Sequence, residues 1–188
     1  MIAYGAAELA ASYLTVRKNT LVIANEIPDD KYDFVYAPGM RTVAHQLKHI
    51  AYGHLLYDDF HRAKRLTTFK GYPFDEFSRQ RAEKERVPMT KAQIVALLKS
   101  EGDRVAQWLG SCDEGFLNET FTDAMGQNPK TRFENLLAIK EHEMHCRAQL
   151  MVIQRMLGLV PHLTREREER VRQRAAAALS SAKTIAPR

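Results

Sequence analysis

Two short histidine-bearing stretches hold the side chains most able to do chemistry. In EHEMHCRAQL, His142 and Cys146 stand four residues apart, which puts both on one face of a helix. Imidazole and thiolate are both metal-ligand groups, so the pair can help to hold a metal ion. His145 lies about 60° off that face by the 3.6-residue period and points toward its edge. Upstream, His45 and His49 repeat the four-residue spacing, with Thr42, Tyr52, Gly53, Leu56 and Phe60 on the same side. Gly53 leaves room beside them, although glycine inside a helix costs about 1 kcal/mol and serves equally for close packing. A histidine on an apolar face is more often a hydrogen-bonded core residue than a ligand. Two histidines and a cysteine within five residues tilt the balance toward a metal.

The elements that must position these groups are helices. Thr131 and Glu134 read as a capping box opening a helix that runs through helix-forming residues to Gly158, a C-terminal stop. The His142 face of that helix continues through Asn135, Ala138, Ile139, Gln149, Ile153 and Leu157, a mostly apolar stripe that faces a core. Residues 3 to 26 form the first helix, with Leu9, Ala10, Tyr13, Leu14, Leu21 and Ala24 recurring at helical spacing and Arg17 and Lys18 left for solvent. An aromatic loop ending in Pro38-Gly39 leads to a second helix from Thr42 to Leu66. On that helix His54 and His61 fall on other faces, as surface or packing residues. Residues 67 to 89 are a long connection with a turn or two of exposed helix, and Thr90 with Gln93 opens a third helix to Leu109. Residues 110 to 130 are a loop anchored by Phe116, Leu117 and Phe121, with Cys112 a free thiol. No strand pattern and no repeat emerges. The fold class is therefore all-α, a four-helix bundle, and the long connection after helix two points away from simple up-down-up-down order.

Composition narrows the function. A chain of 188 residues with 45% apolar content makes one globular domain, residues 1–164, followed by a charged helical or disordered tail, residues 165–188. The tail holds seven Lys and Arg against three Glu, so most of the net charge of +5 belongs to it and not to a basic face on the fold. Nucleic acid is disfavoured as a partner. No apolar run reaches membrane length and no leader pattern precedes the first helix. Two distant cysteines give no disulfide framework and fit a reducing cytoplasm.

The segments APGMRTVAHQLKHIAYG and KEHEMHCRAQLMVIQRMLGLVPHLTR resemble the DinB-like (damage-inducible or YfiT-like) metalloproteins, over nearly the whole chain outside the tail. The resemblance implies a four-helix bundle holding a divalent metal, zinc or nickel, on three histidines. One comes from helix two and two, four apart, from helix four. Those positions fall on His49, His142 and Cys146, so this chain has a cysteine where the family usually has histidine. Either the thiolate completes a His-His-Cys set, or it falls short and His145 or His45 rotates in, or the site stays empty. Relatives of this kind imply a homodimer, a stress-related role and a small-molecule substrate, sometimes with a low-molecular-weight thiol as cosubstrate.

A metal-dependent transferase, isomerase or hydrolase is one expectation, and a non-catalytic ligand- or metal-binding dimer the other. Tyr52 and Gln149 are candidates to line the substrate pocket, Gln149 serving equally as an interhelical hydrogen bond. No general base is identified: His45, His145 and Glu143 are candidates, and Glu143 points away from His142. Phe133, Leu137, Met144 and Met151 lie opposite His142 and are covered by a partner subunit or by the 110–130 loop.

Overall fold

The computed structural model describes the backbone of residues 4–185 and side chains up to residue 178. Helix α1 spans Ala6–Glu26, α2 Val43–Ala51, α5 Lys91–Ser111 and α7 Arg132–Met156. α1 packs on α5 and α7, and α2 packs on the same two helices. α1 and α2 therefore face each other across the diagonal of a four-helix bundle, as do α5 and α7. Helices successive in the chain are adjacent neighbours in an up-down-up-down bundle, so this topology departs from that order.

Two apolar clusters fill the bundle, one built on Ile23, Leu47, Leu98 and Leu150, the other on Tyr13, Val105, Leu109 and Leu136. Between them runs a buried polar clamp. Arg17 on α1 donates to the Glu143 carboxylate on α7 from Nε and Nη2, at 2.9–3.1 Å, and to the Leu98 carbonyl of α5 at 2.6 Å. Thr20 donates to Glu143 Oε1 at 2.7 Å. Arg17 is thus buried, not solvated. Its stem lies where a Cβ on Gly102 would meet Arg17 Cγ at 2.7 Å, so the missing side chain on α5 makes the space. Lys18 is exposed, as the periodicity implies.

The second helix is broken where the sequence reads as continuous. α2 ends at Ala51; Leu55–Tyr57 forms a single turn, α3, and Asp58–Ala63 is a π-helix. The wider π turn directs both Phe60 and His61, neighbours in sequence, into the interior. Phe60 stacks on Phe69 and meets Tyr72 and Phe121 edge-on, a third apolar cluster below the bundle.

The 67–89 connection holds a full helix, α4, over Phe74–Arg86. Its acidic first turn (Asp75, Glu76) and basic last turn (Lys84, Arg86) suit the helix dipole. Of its residues only Glu85 is buried, and Lys48 Nζ ties its end to α2 through the Val87 carbonyl at 2.7 Å. The 110–130 segment also carries structure: α6, Glu114–Asn118, and a two-residue antiparallel pair, Thr120–Phe121 with Lys130–Thr131. Strands this short leave no alternation to read. α7 starts where expected, with Thr131 Oγ1 accepting from the Glu134 amide, and ends before Gly158 in the left-handed region at φ 78°. Helix α8, His162–Ile185, begins inside the expected 1–164 unit; His162 is buried, whereas residues 165–178 are exposed. No helix among the described residues is long and apolar enough to cross a membrane.

Candidate metal centre

α7 can present His142 and Cys146 to α2 because Glu143, one residue on, is locked to α1. Residues one apart on a helix point about 100° apart, so fixing Glu143 against Arg17 and Thr20 fixes the rotation of α7. Gln46 on α2 adds a bond to the Cys146 carbonyl at 3.3 Å. Across the gap, Gly53 lies where a Cβ would stand 2.7 Å from His142 Nδ1, so the break after α2 is where the imidazole fits.

His49, His142 and Cys146 converge, with one donor atom from each lying within 4.8 Å of the others. His49 Nε2 is 3.0 Å from His142 Nε2, and Cys146 Sγ is 3.7 Å from the same His142 atom. His49 Nδ1 lies 2.8 Å from Glu85 Oε1, and His45 Nε2 3.0 Å from Glu85 Oε2. Burial alone would raise the Glu85 carboxyl, but its hydrogen bonds to His49 and His45 and the charge of Arg81 outweigh that and lower it. Glu85 is then a carboxylate, able only to accept, so His49 donates to it through Nδ1–H and turns Nε2 toward His142. Burial, helped by the charges of His49, Arg81, His145 and Arg41, pushes His142 down to about 4. At neutral pH His142 is therefore an uncharged imidazole.

Two Nε2 atoms 3.0 Å apart must have a proton or a cation between them. A tetrahedral ion with contacts of about 2.0–2.1 Å to nitrogen and 2.3 Å to sulfur sets N···N near 3.3 Å and N···S near 3.6 Å. The observed 3.0 and 3.7 Å are close to those edges, and the His49-to-Cys146 edge lies within 4.8 Å, so a small side-chain shift closes the three on such an ion. Cys146 is buried, and burial raises its thiol against the opposing pull of Arg41 and Gln46. Coordination reverses that balance, because a bound metal deprotonates a ligating thiol outright.

The remaining sequence candidates separate cleanly. His45 joins the cluster only behind His49, through Glu85. His145 is exposed and bonds Gln149 one turn on at 3.2 Å, so this pair is a surface contact within α7, neither a ligand set nor an interhelical bond. Tyr52, half-buried, caps α2 beside Gly53. Glu143 has both oxygens bonded inside the core and is withdrawn as a general base. His54 and His61 are both packing residues, buried with polar partners on α5 and α7 respectively. Cys112 is a half-buried thiol pushed up to about 11, chiefly by burial.

Glu85 escaped the sequence reading. It lies in SRQRAEKER, a stretch with no apolar stripe, and what that helix delivers to the site is a carboxylate. The signal was there in a different form: Pro73 and Pro88 bracket fourteen residues free of Gly and Pro, acidic at the start and basic at the end.

A family model described as the DinB superfamily matches residues 12–150. Among solved structures, the DinB-like protein YjoA of Bacillus subtilis is similar at a TM-score of 0.59 and 20% identity, over 80% of this chain and 92% of that one. YfiT from Bacillus subtilis, described as a probable metal-dependent hydrolase with an unusual four-helix bundle topology, is similar at 0.59 and 18%, over 80% and 88%. At these identities the likeness concerns the fold. No curated protein sequence matches the chain.

Proposed function

The chain belongs to the DinB superfamily, and from that premise we propose that it is a metal-dependent enzyme acting on a small molecule. The ion is divalent, zinc or nickel, held by His49, His142 and Cys146. The observation that carries this reading is the facing pair of Nε2 atoms, 3.0 Å apart with Cys146 Sγ alongside. Glu85 orients His49 from behind, the arrangement that raises ligand basicity and fixes the tautomer. Three protein ligands leave a fourth position, where a metal supplies Lewis acidity and a nucleophile at neutral pH. Thiol transfer and hydrolysis both suit that chemistry, and YfiT's description as a probable metal-dependent hydrolase favours the second. Half-buried Tyr52 stands at the edge of the centre as a candidate pocket wall.

Elemental analysis of purified protein tests the reading. About one metal per chain is expected in the wild type and in Cys146→His, and none in His142→Ala. A metal-free wild type that takes up no zinc or nickel on titration would end it.

One observation favours a second, non-catalytic reading. Both carboxylates nearest the cluster are engaged, Glu85 by two histidines and Glu143 by Arg17 and Thr20, so neither is free to act as a base. On that reading the chain is a stress-related metal- or ligand-binding dimer. A screen with low-molecular-weight thiols and small electrophiles separates the two, since only the first predicts turnover that follows metal content.

For either reading we propose a homodimer in a reducing, cytoplasmic setting. Phe133, Leu137 and Met151 pack against the chain's own core, but Met144, Val152 and Met156 leave an exposed apolar row along α7. Covering that row with a second copy is the simplest way to remove it from water. Light scattering should give twice the 21.5 kDa chain mass; the single-chain mass at micromolar concentration would refute it.

A further inference from the structure

We infer that the small molecule taken by this centre carries a negative charge, held by Arg41 and Arg81 at the open side of the cluster; this rests on the metal reading above. Arg41 immediately precedes Thr42, the N-cap of α2, and so stands at the end of α2 nearest His45. It is exposed, and among the described residues its side chain makes no hydrogen bond or ion pair. Arg81 lies one turn before Glu85 on α4 with its Nε 3.3 Å from that carboxylate, and among the described residues its side chain donates no hydrogen bond. Glu85 itself already accepts from both His49 and His45. The acidic side chain at the cluster is therefore spent, while the guanidinium donors are not. Both arginine charges also act on His142 and on Cys146, so an anion bound at the cluster lies in their field. Glu141, next to His142 in sequence, is exposed and acts on Tyr57.

Electrostatics then decides the sign of the ligand. A divalent ion on two neutral imidazoles and one thiolate keeps a positive charge of one. The two arginines add to it, and Glu85 offsets one unit from the buried side. Positive charges gathered at a largely buried site favour an anion. Guanidinium donors suit a carboxylate or phosphate oxygen pair, which an ammonium or a neutral hydroxyl cannot imitate.

Three thiols of one size test this on the cobalt-substituted full-length protein: mercaptoacetate, 2-mercaptoethanol and cysteamine, which are anionic, neutral and cationic. The readout is the thiol concentration that half-changes the cobalt spectrum. Mercaptoacetate should act at about tenfold lower concentration than 2-mercaptoethanol, the scale of a charged hydrogen bond, with cysteamine weakest. Thiol acidity alone ranks the three in the opposite order. Arg41→Gln should reduce the preference and Arg41→Glu should invert it toward cysteamine, with the thiol-free cobalt spectrum unchanged. Arg81→Gln with Arg41→Gln should abolish it, an arm that does not depend on charge reversal being tolerated. Equal concentrations for all three thiols in a cobalt-loaded wild type would overturn the inference and leave the metal reading standing, as would a preference that survives every arginine variant. A wild type that binds no cobalt would overturn both.

Discussion

Two of the histidine clusters in this bundle are alike in acidity and differ in what meets the ring nitrogens. His61, in the π-helix, and His142, on α7, are both pushed down to about 4, burial being the largest cause in each. At His61, Arg132 Nη1 lies 2.8 Å from Nδ1 and Asn135 Oδ1 lies 2.7 Å from Nε2. Arginine only donates, so Nδ1 accepts and Nε2–H donates to the Asn135 oxygen. Each ring nitrogen has a partner of the opposite kind. At His49 and His142 two Nε2 atoms face each other beside a thiol, and a shared proton or a cation must lie between them. Burial and acidity do not tell a structural histidine from a ligand histidine; the donor and acceptor types of its partners do.

Removing one ring from each cluster breaks the likeness most sharply. His142→Ala should abolish stoichiometric metal while the apo protein keeps a cooperative unfolding transition. His61→Ala should retain metal but lose about 2–4 kcal/mol of stability, because it orphans Arg132 Nη1 and the Asn135 carbonyl in the interior. Metal content by elemental analysis and urea unfolding read the two effects separately. Loss of metal in both variants would erase the distinction.

Acid should expose what the clusters share. A histidine held down to about 4 when folded, against an ordinary value of 6.5, binds its proton in the unfolded chain first. Stability is therefore present above pH 6.5 and drains away as pH falls toward 4, by about 3 kcal/mol for fully buried His61. Chelator-treated His142→Ala should keep that slope between pH 6.5 and 4.5, and His61→Gln should flatten it. The metal cluster has a further response of its own, since protons compete with the ion for His142 and should release it over the same range.

Much of this contrast can be read from spacing, and the rest depends on contacts that spacing does not encode. The four-residue intervals put His142 with Cys146, and His45 with His49, on shared helix faces, and Gly53 reads as room beside them; the close approach of His142 bears that out. The break after Ala51 does not show, because Tyr52 to Leu66 keeps an acceptable helical pattern and the π turn arises only from packing Phe60 among distant aromatics. Arg17 reads as solvated because its partners are 126 and 81 residues away. Glu85 is hidden for the same reason: a carboxylate on a charged helix looks like every other surface acid until its helix is folded over α2.

Glu85 and Glu119 sharpen the comparison at the level of the supporting carboxylate. Glu85 backs His49, while Glu119 backs Arg132 at 2.8 Å. Glu85→Gln keeps the shape but can present its amide to His49 in either sense and loses the charge. Metal affinity should fall by about 10- to 100-fold, the usual cost of removing such a partner. Glu119→Gln should leave affinity unchanged. Competition with a chromophoric chelator measures both, and an unchanged Glu85→Gln affinity would reduce that residue to packing.

The smallest effect should come from the end of the chain, where charge serves neither cluster. α8 is tied to the bundle at its start: His162 Nε2 lies 3.3 Å from Asn19 Oδ1, Arg155 Nη2 3.1 Å from Thr164 Oγ1, and Arg165 pairs with Glu26. From Glu166 to residue 178 the helix is exposed, and its ion pairs among the described residues, such as Arg172 with Glu169, stay within its own turns. Exposed pairs of that kind contribute about 0.3–0.5 kcal/mol at most. Truncation after Arg170 should therefore move the melting temperature by about 1–2 °C in a chain this size and leave metal content intact. Truncation after Val160 removes the His162 and Arg165 anchors and should cost several times more. If the shorter truncation instead lowers the melting temperature as far as His61→Ala does, the outer part of α8 is buried in solution, and a second copy of the chain is the surface to test against it by light scattering.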